Sequence, residues 1–376
     1  MRHCDGSAGP KEDDGMRVYV YHTQEMHYIL EQCNAGKLPT HLLYGAMRFD
    51  KHGVDVVWNY PRPSLPRWRR MLYTAWCVLA VRGHIDAVYA THYDGLEIIV
   101  LLRALRLFRH PVIVWHHPPI ITPRQWWRDL AGRLFYRGFD RLVFFSQKLV
   151  DDSLASRKVS RDRLVLGHWG ADLSFYDGIK PRGNTHGHFI STGKELRDMP
   201  TLISAFDAEG ERLDIYVGRR AGGVDYEKVI GECQVGDNVK VHFLNGGNVT
   251  YDLSVLVARS SCVVICCKET NYTVGLTTLV EALALGLPVI CSRNPNMPID
   301  VGEESCGISV PYYDVEGWRR AIRRIADHPD EAREMGRRGR ALAERLFNDE
   351  NCAMEMADVI KGVVRKSHVQ PESTQR

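Results

Sequence analysis

The chain has 376 residues, a length that favours two domains of roughly 150 to 200 residues each. Hydrophobic residues make up 44% and charged residues 25% of it, which are ordinary values for a folded globular protein and exclude an intrinsically disordered one. The formal net charge of +3 is too small to indicate a nucleic-acid-binding protein.

The first part of the chain alternates between strand-like and helical patterns. Its beginning, residues 1–16, is polar and lacks the apolar core of a signal peptide. Strands are then predicted at 17–22, 54–58, 86–90, 111–117 and 141–146, with helices at 26–35, 67–82, 96–109 and 124–136. Strands that alternate with helices indicate a parallel sheet wound by helices.

The alternation restarts after the polar stretch 176–187, which is typical of a linker. Further strands are predicted at 188–192, 213–218, 240–244, 262–267 and 288–292, and residues 315–364 have a helical pattern that we expect to pack against the rest. The predicted divisions are an extension 1–16, a first domain 17–178, a linker 179–187, a second domain 188–330, helices 331–366 and a tail 367–376. Ligands of such sheets bind at the carboxyl ends of the strands, which predicts a site in the cleft between the domains.

Residues 62–138 interleave arginine with aromatic side chains and leucine, as in PRWRR, LRALRLFRH and PRQWWRDLAGRLFYRG. Two interpretations are open: solvated helix faces whose arginine stems cover apolar surface, or attraction to an anionic membrane surface. The apolar run 71–81 has 11 residues, whereas a membrane-spanning helix needs roughly 20. The sequence therefore predicts a soluble or peripheral protein.

The ten cysteines are irregularly spaced, without a CxxC pair or a Cys/His spacing of zinc-site type. Cys266 and Cys267 are adjacent in a predicted strand and point to opposite faces, so we expect no bridge between them. Reduced thiols favour a cytoplasmic protein.

Residues 273–290, TVGLTTLVEALALGLPVI, enclose one charged side chain, Glu281, in an apolar helix and strand. The helix is predicted to begin near residues 275–277 and to end at Gly286. Unpaired backbone N–H groups at such a helix start form a site suited to a diphosphate. A carboxylate buried one turn further along the helix costs free energy unless hydroxyl groups donate hydrogen bonds to it, as the vicinal hydroxyls of a ribose can. The alternative is a glutamate on an exposed helix surface.

These residues resemble the retaining GT-B glycosyltransferases of family 4, whose signature is two glutamates separated by seven residues and followed by EAxAxGxPVI. Here Glu281 opens EALALGLPVI. Residues 169–176 are similar to the segment that closes the family's first domain, 191–206 to the segment whose two basic residues hold the donor diphosphate, and 238–246 to the strand and turn near the nucleobase. The resemblance covers nearly the whole chain and implies a GT-B fold, with two Rossmann-like domains facing across a cleft.

The resemblance also implies site residues. On the donor side these are Lys194, Arg197, Thr273, Gly275, Leu276, Thr277 and Glu281, with Glu269 and Asn271 as residues of the same loop that could reach in. In the first domain, VIVWHH matches the strand that ends in a histidine beside the transferred sugar, which selects His116, with His117 as a second candidate. The structural alternative for this histidine is a capped loop residue.

Two departures from the family are visible. Thr273 stands where the first glutamate of the signature is expected, and threonine offers one hydrogen bond without a charge. This indicates a different donor sugar, a contact from Glu269 or Asn271, or an inactive enzyme. The first strand is followed by YHTQEMHY instead of a glycine-rich turn, so the contacts to the acceptor are also expected to differ.

The implied function is metal-independent transfer of a sugar from a nucleotide diphosphate, with UDP as the expected nucleotide, to an acceptor hydroxyl with retained configuration. We expect no cofactor or metal, and the chain has no DxD motif. The expected acceptor is a glycan or a lipid-linked saccharide of a cell-envelope or exopolysaccharide pathway, and the expected location is cytoplasmic or at the inner face of the membrane. The alternatives are a nucleotide-sugar epimerase of GT-B fold and a non-catalytic nucleotide-sugar-binding partner.

Overall fold

The computed structural model describes residues 15–179, 188–193, 195–244 and 250–369, with side chains to residue 366. Within these ranges, two parallel six-stranded sheets follow one another along the chain. The first sheet contains β1 (Met16–Tyr21), β2 (Val54–Trp58), β3 (Ala87–Ala90), β4 (Val112–Trp115), β5 (Arg141–Phe144) and β6 (Leu164–Leu166), in the order β2-β1-β3-β4-β5-β6. Every neighbouring pair in it is parallel.

Helices lie on both faces of this sheet. They are α1 (Met26–Asn34), α2 (Arg67–Leu79), α3 (Glu97–Ala104), α4 (Trp126–Tyr136), α5 (Gln147–Ala155) and α6 (Leu173–Asp177), with 3-10 turns at Thr40–Leu43, Ala46–His52 and Arg161–Arg163. Connections between parallel strands are right-handed. The chain moves one way across the sheet from β1 to β2 and the other way from β2 to β6, so α1 lies on one face and α2 to α5 lie on the other.

The second sheet contains β7 (His188–Thr192), β8 (Arg212–Gly218), β11 (Val239–Leu244), β12 (Cys262–Ile265), β13 (Val289–Ser292) and β14 (Gly307–Val310), in the order β11-β8-β7-β12-β13-β14. Two short strands, β9 (Arg220–Ala221) and β10 (Val224–Asp225), form an antiparallel ribbon. The helices are α7 (Met199–Glu209), α8 (Tyr226–Gly231), α9 (Thr250–Ala258), α10 (Leu276–Ala284), α11 (Val315–Asp327), α12 (Pro329–Arg345) and α13 (Asp349–Val369).

This architecture confirms the prediction of two doubly wound parallel sheets in tandem. All ten predicted strands are present, although β4 ends at Trp115, before the two histidines that the prediction had included. The sequence prediction missed β6 and β14, which are strands of only three and four residues at the sheet edges, and the two-residue strands β9 and β10. The predicted domain boundaries remain predictions, and residues 180–187 of the linker lie outside the described residues.

Helix α13 returns to the first half of the chain. Arg48, in the turn before β2, forms ion pairs with Asp172 at 3.1 Å and with Asp349 at 2.8 Å. Gly45 has a φ of +82°, and a Cβ there would lie 2.7 Å from the Cα of Ala353 in α13, so a side chain would collide with the helix backbone. The two halves are therefore joined both by the crossing segment around α6 and by α13.

Candidate functional site

Loops from several strands converge at the carboxyl edge of the second sheet, because the strands are parallel and all end on the same side. Residues 193–198 follow β7, residues 266–275 follow β12 and lead into α10, and residues 293–297 follow β13. The loop after β7 and the loop after β12 touch directly, since Arg197 and Cys267 form an antiparallel backbone bridge. This edge holds every predicted donor residue that the structure describes. Lys194 and the turn 245–249 lie outside the described residues.

Arg197 is a buried cation that forms no ion pair with any of the described residues. Its side chain is 3% exposed, and its Nε and Nη2 both donate to the carbonyl of Thr192, at 3.2 and 3.1 Å. Nη1 donates to the carbonyl of Glu195 and to Cys267 Sγ, and Nη2 also donates to Thr278 Oγ1. All five guanidinium N–H groups thus meet neutral acceptors, and the ion pairs of the described residues do not include Arg197. A buried charge without a counter-charge costs several kcal/mol, and an arriving anion offsets that cost.

The start of α10 lies against this guanidinium. Gly275 precedes the helix with a φ of +93°, and a Cβ there would lie 2.6 Å from Ile265 Cγ2, so glycine is required both by conformation and by space. No side chain caps the first turn, whose backbone N–H groups at Leu276 and Thr277 carry the positive end of the helix dipole. Thr277 is exposed and Leu276 is buried. The positive end of the α10 dipole and the positive charge of Arg197 therefore lie next to each other, so their electrostatic potentials add.

The loop between β12 and α10 is fixed by two asparagines that the sequence analysis did not single out. Asn294 and Asn296 are 7% and 3% exposed, and their amides donate to the carbonyls of Tyr272 and Thr270. The hydroxyl of Thr273 donates to the carbonyl of Asn296 at 2.8 Å. The one proton of Thr273 is thus already used to hold the loop, and its oxygen is left as an acceptor.

The other two predicted residues of this loop, Glu269 and Asn271, are exposed. The backbone N–H of Glu269 donates to the hydroxyl of Tyr313 at 3.1 Å, which fixes its main chain and leaves the carboxylate in solvent. Among the described residues, no hydrogen bond or ion pair holds either side chain in one position.

Glu281 lies deep in the fold, which excludes the alternative of an exposed surface glutamate. It is 8% exposed in a helix with eight of its nine residues buried, and its Oε1 accepts a hydrogen bond from the hydroxyl of Ser254 in α9. Burial raises the pKa of Glu281 to about 7, and the bond from Ser254 opposes that rise. A ligand that donates further hydrogen bonds would stabilise the ionised form.

At the first sheet, the two predicted histidines have different surroundings. His116 is 1% exposed, its Nδ1 lies 2.7 Å from the Pro118 carbonyl and its Nε2 lies 3.1 Å from the Tyr136 hydroxyl. Because a carbonyl only accepts, Nδ1 carries the proton and Nε2 accepts from Tyr136. Burial lowers the pKa of His116 to about 4. Both ring nitrogens are used within the protein, so His116 supports the loop after β4.

His117 is partly exposed at the same strand end. Its Nε2 lies 3.1 Å from the hydroxyl of Tyr44, a residue held in the left-handed region with a φ of +53°. Burial, and then the neighbouring histidines, bring the pKa of His117 well below its usual value, so the ring is neutral. The geometry favours His117 over His116 as the residue that faces a ligand, and the role of either residue remains a prediction.

His92 is a candidate that the sequence analysis missed. It follows β3, stacks on His117 with ring centroids 4.0 Å apart and an interplanar angle of 8°, and is partly exposed. No hydrogen bond within the described part of the chain engages its ring nitrogens, which are therefore available to a ligand. His22, after β1, completes the group, and burial lowers the pKa values of both His92 and His22. Histidines after several parallel strands were the available signal, because such strand ends meet at one edge.

A separate groove lies between β14, α11 and α12. Its lining contains paired charges, Arg324 with Glu331, Arg338 with Glu334 and Arg293 with Asp300, and includes none of the predicted site residues. These three pairs compensate one another, and Glu303, the remaining carboxylate of the described lining, is exposed, so the groove lacks a buried uncompensated charge like that of Arg197.

Among the helices of the described ranges, none has the length and apolar character that crossing a membrane requires. Within the same ranges, no three His, Cys, Asp or Glu side chains are arranged to hold a metal ion.

The fold places the protein in a class. It superposes on sucrose-phosphate synthase from Thermosynechococcus elongatus with a TM-score of 0.67 and 16% identity, covering 94% of this chain and 100% of that one. It also superposes on Anabaena HepE in complex with UDP, with a TM-score of 0.63 and 12% identity, covering 93% of this chain and 100% of that one. The fold is GT-B, with two Rossmann-like domains facing across a cleft.

The sequence comparisons go one step further. Residues 214–342 match the family described as glycosyl transferases group 1. The chain is 24% identical over 310 residues to an MMP alpha-(1->4)-mannosyltransferase of Mycolicibacterium hassiacum, covering 76% of this chain and 72% of that protein. It is 35% identical over 83 residues to a D-inositol 3-phosphate glycosyltransferase of Saccharomonospora viridis, covering 22% of this chain and 19% of that protein. The protein is an enzyme, a glycosyltransferase of the hexosyltransferase type. This class does not include the two alternatives, an epimerase and a non-catalytic binding partner.

Proposed function

We propose that the protein is a retaining glycosyltransferase of family 4 that transfers a sugar from a UDP-sugar to an acceptor hydroxyl without a metal ion. The observation that carries the proposal is the buried Arg197 at the start of α10, a positive charge that no carboxylate of the described residues compensates. A diphosphate leaving group develops negative charge in the transition state, and preorganised donors are most effective where such charge develops. The UDP in the HepE structure supports the choice of nucleotide for this chain.

In this proposal each part of the site has a separate task. Arg197, Lys194 and the backbone N–H groups at Leu276 and Thr277 stabilise the diphosphate as the bond to the sugar breaks. Gly275 lets the chain approach the phosphates closely. Glu281 in its ionised form accepts hydrogen bonds from the ribose hydroxyls, and Thr273, Glu269 and Asn271 contact the sugar through the loop that Asn294 and Asn296 hold.

The first sheet supplies the neutral side of the cleft. We propose that His117 positions the transferred sugar, with His92 stacked behind it and His116 supporting the loop. Departure of the diphosphate and attack by the acceptor take place on the same face of the sugar, without a bond between sugar and protein. The bond from the sugar to the diphosphate breaks, the bond to the acceptor oxygen forms, and the proton of the acceptor hydroxyl passes to an oxygen of the departing diphosphate. Because the histidine pKa values are depressed, the rings are neutral at physiological pH and contribute hydrogen bonds and shape instead of charge.

The acceptor that we propose is a glycan or a lipid-linked saccharide of cell-envelope or exopolysaccharide synthesis, reached in the cytoplasm or at the inner face of the membrane. The nine described cysteines form no disulfide with one another, which supports a reducing compartment. No nucleic acid is among the proposed partners.

The test is a panel of nucleotide sugars in the presence of EDTA. We expect one UDP-sugar to raise the melting temperature and to be turned over, and the anomeric proton coupling of the product to match that of the donor. Inverted configuration would contradict the retaining mechanism, and turnover that stops with EDTA would contradict metal independence. A shift by a purine nucleotide sugar only would change the nucleotide and leave the rest of the proposal standing.

A further inference from the structure

Helices α2, α3 and α4 form a layer on one face of the first sheet, with α3 packed between the other two. A helix in such a layer normally has one apolar stripe, which faces the sheet, and a polar outer side. Here the outer side is also apolar. The feature concerns a part of the molecule that the proposed chemistry does not use.

Helix α2 has two apolar sides. Thr74, Ala75 and Val78 are buried toward the sheet. On the outer side a line of large side chains runs along the helix at a spacing of three to four residues, with exposed fractions between 55% and 65%: Trp68, Leu72, Trp76 and Leu79. A spacing of three to four residues places side chains on one side of a helix, so these four form a continuous exposed stripe.

Helix α4 has no buried residue at all, although it contains several of the largest apolar side chains of the chain. Trp126 is 78% exposed, Trp127 is 53% exposed and Leu130 is 61% exposed. Between the two helices, Leu105 and Leu107 at the end of α3 are 55% and 71% exposed. Soluble monomers rarely expose large side chains in such a contiguous group, so this face is expected to have a partner.

The charge around these side chains identifies the partner. Residues 62–138 contain twelve arginines and four acidic residues, a surplus of eight positive charges, whereas the whole chain has a surplus of three. The rest of the chain is therefore net negative by five. Arg69 and Arg128 have no carboxylate within ion-pair distance among the described residues, and they lie over the rings of Trp68 and Trp127 at 5.0 and 5.1 Å.

We propose that the outer face of α2, α3 and α4 binds an anionic phospholipid bilayer, with its tryptophans and leucines entering the headgroup region and its arginines contacting lipid phosphates. Tryptophan prefers the interface between water and lipid, and arginine is attracted to anionic headgroups. With 13, 8 and 11 residues, the helices are too short to span the bilayer and would lie along its surface. A second copy of the chain is the less favoured partner, because a symmetric contact through this face would bring two basic surfaces together.

This inference is consistent with the lipid-linked acceptor of the proposed function, but its test does not need turnover. Cosedimentation is measured with vesicles of phosphatidylcholine alone and of phosphatidylcholine mixed with phosphatidylglycerol, at low and high salt. Wild-type protein should bind the mixed vesicles at low salt, and salt should weaken the binding. The double variant Trp76→Ser and Trp126→Ser should lower the partition constant by about tenfold or more. The double variant Arg69→Gln and Arg128→Gln should lower it roughly fivefold for each arginine.

Controls separate the face from general effects. The matched double variant Val235→Ser and Met354→Ser removes two exposed apolar side chains, 40% and 46% exposed, outside this face and should bind as wild type does. Because all the replaced side chains are exposed, thermal unfolding should be unchanged. Absence of binding at low salt, or binding that neither pair weakens, would overturn the proposal. A dimer seen by light scattering without lipid and broken by the tryptophan variant, together with no vesicle binding, would make the face a self-association surface instead.

The failure of this proposal and the failure of the proposed function can be told apart. Nucleotide-sugar binding by thermal shift reports on the second sheet and needs no membrane. If nucleotide sugars bind but vesicles do not, only the membrane-binding proposal is contradicted. If vesicles bind but no nucleotide sugar raises the melting temperature, only the proposed donor site is contradicted.

Discussion

The carboxyl edges of the two sheets are built from the same strand pattern but differ in charge. The first edge carries a group of histidines, His22, His92, His116 and His117, each with a pKa that burial lowers, and is neutral. The second carries the buried guanidinium of Arg197 at a helix start. A neutral edge lined with rings suits a sugar, and an edge with a fixed positive charge suits a diphosphate. One fold used twice can therefore serve two parts of one substrate.

The largest expected effect comes from removing the charge of the second edge. Arg197→Ala should lower kcat/KM by about two to three orders of magnitude, because it removes the buried positive charge whose field stabilises the developing anion. It should also abolish the thermal shift by nucleotide sugars. The measurements are steady-state kinetics and melting temperatures with and without donor.

The control for this variant is Arg163→Ala. Arg163 lies in the first half of the chain, donates to the main-chain carbonyls of Tyr136, Arg137 and Phe139, and has no ion pair among the described residues. It is therefore a second arginine bound by carbonyls, far from the candidate donor site. Its replacement should lower stability and leave the nucleotide shift intact. If both variants lose the thermal shift by nucleotide sugars to the same extent, the charge difference between the two sheet edges does not explain nucleotide binding.

The second prediction tests the neutral edge. His117→Ala should lower kcat about a hundredfold with little change in nucleotide binding, because in the proposed function the ring positions the sugar and does not contact the diphosphate. His92→Ala, which removes the stacked neighbour of His117, should cost about tenfold. His116→Ala should chiefly lower the melting temperature, since it breaks the support of the loop. A His116 variant of normal stability that has lost transfer would restore the sequence assignment.

The third prediction uses the raised pKa of Glu281, about 7 against an ordinary 4.5. Below about pH 4.5 the carboxyl is protonated in both the folded and the unfolded state. Between about pH 4.5 and pH 7 the carboxyl is ionised in the unfolded state but still protonated in the folded state, so stability falls as the pH rises, by roughly 3 kcal/mol in all, and levels off above pH 7. Glu281→Gln should lack this loss, and the stability difference from wild type should grow over that window in urea unfolding.

The same residue should make donor binding depend on pH. In the proposed donor site the ribose hydroxyls donate hydrogen bonds to Glu281 and so favour its ionised form, and wild-type affinity for a nucleotide sugar should therefore rise as the pH rises toward 7. Glu281→Gln should bind about tenfold more weakly at high pH and show no such rise. Calorimetry at several pH values measures this. An unchanged affinity in the variant would remove Glu281 from the ribose site.

The smallest effect is expected at Thr273. Thr273→Val breaks the hydrogen bond to the Asn296 carbonyl and should cost about 1 kcal/mol of loop stability, seen as a severalfold rise in donor KM. Thr273→Ser should behave as wild type. A hundredfold loss of kcat in the valine variant would mean that the contact of the hydroxyl with the sugar matters more for catalysis than its hydrogen bond to the loop.

The sequence alone determined the parts of this protein that depend on local pattern. The alternation of apolar runs with helical stretches specified two parallel wound sheets, and the segment 273–290 specified a helix that starts at a glycine with a carboxylate inside it. Such patterns are readable because hydrophobic spacing repeats every two residues in strands and every three to four in helices. The short edge strands β6 and β14 carried too little of this signal.

Only the tertiary structure decided which side chains contact each other and which polar groups already have hydrogen-bond partners within the protein. It showed that both nitrogens of His116 bond within the protein while His117 stacks on His92, and that the guanidinium of Arg197 has no counter-charge among the described residues. It also showed that the tryptophans of α2 and α4 are exposed instead of packed. The physical reason is that burial, stacking and charge compensation depend on residues far apart in the chain, and sequence spacing does not contain those distances.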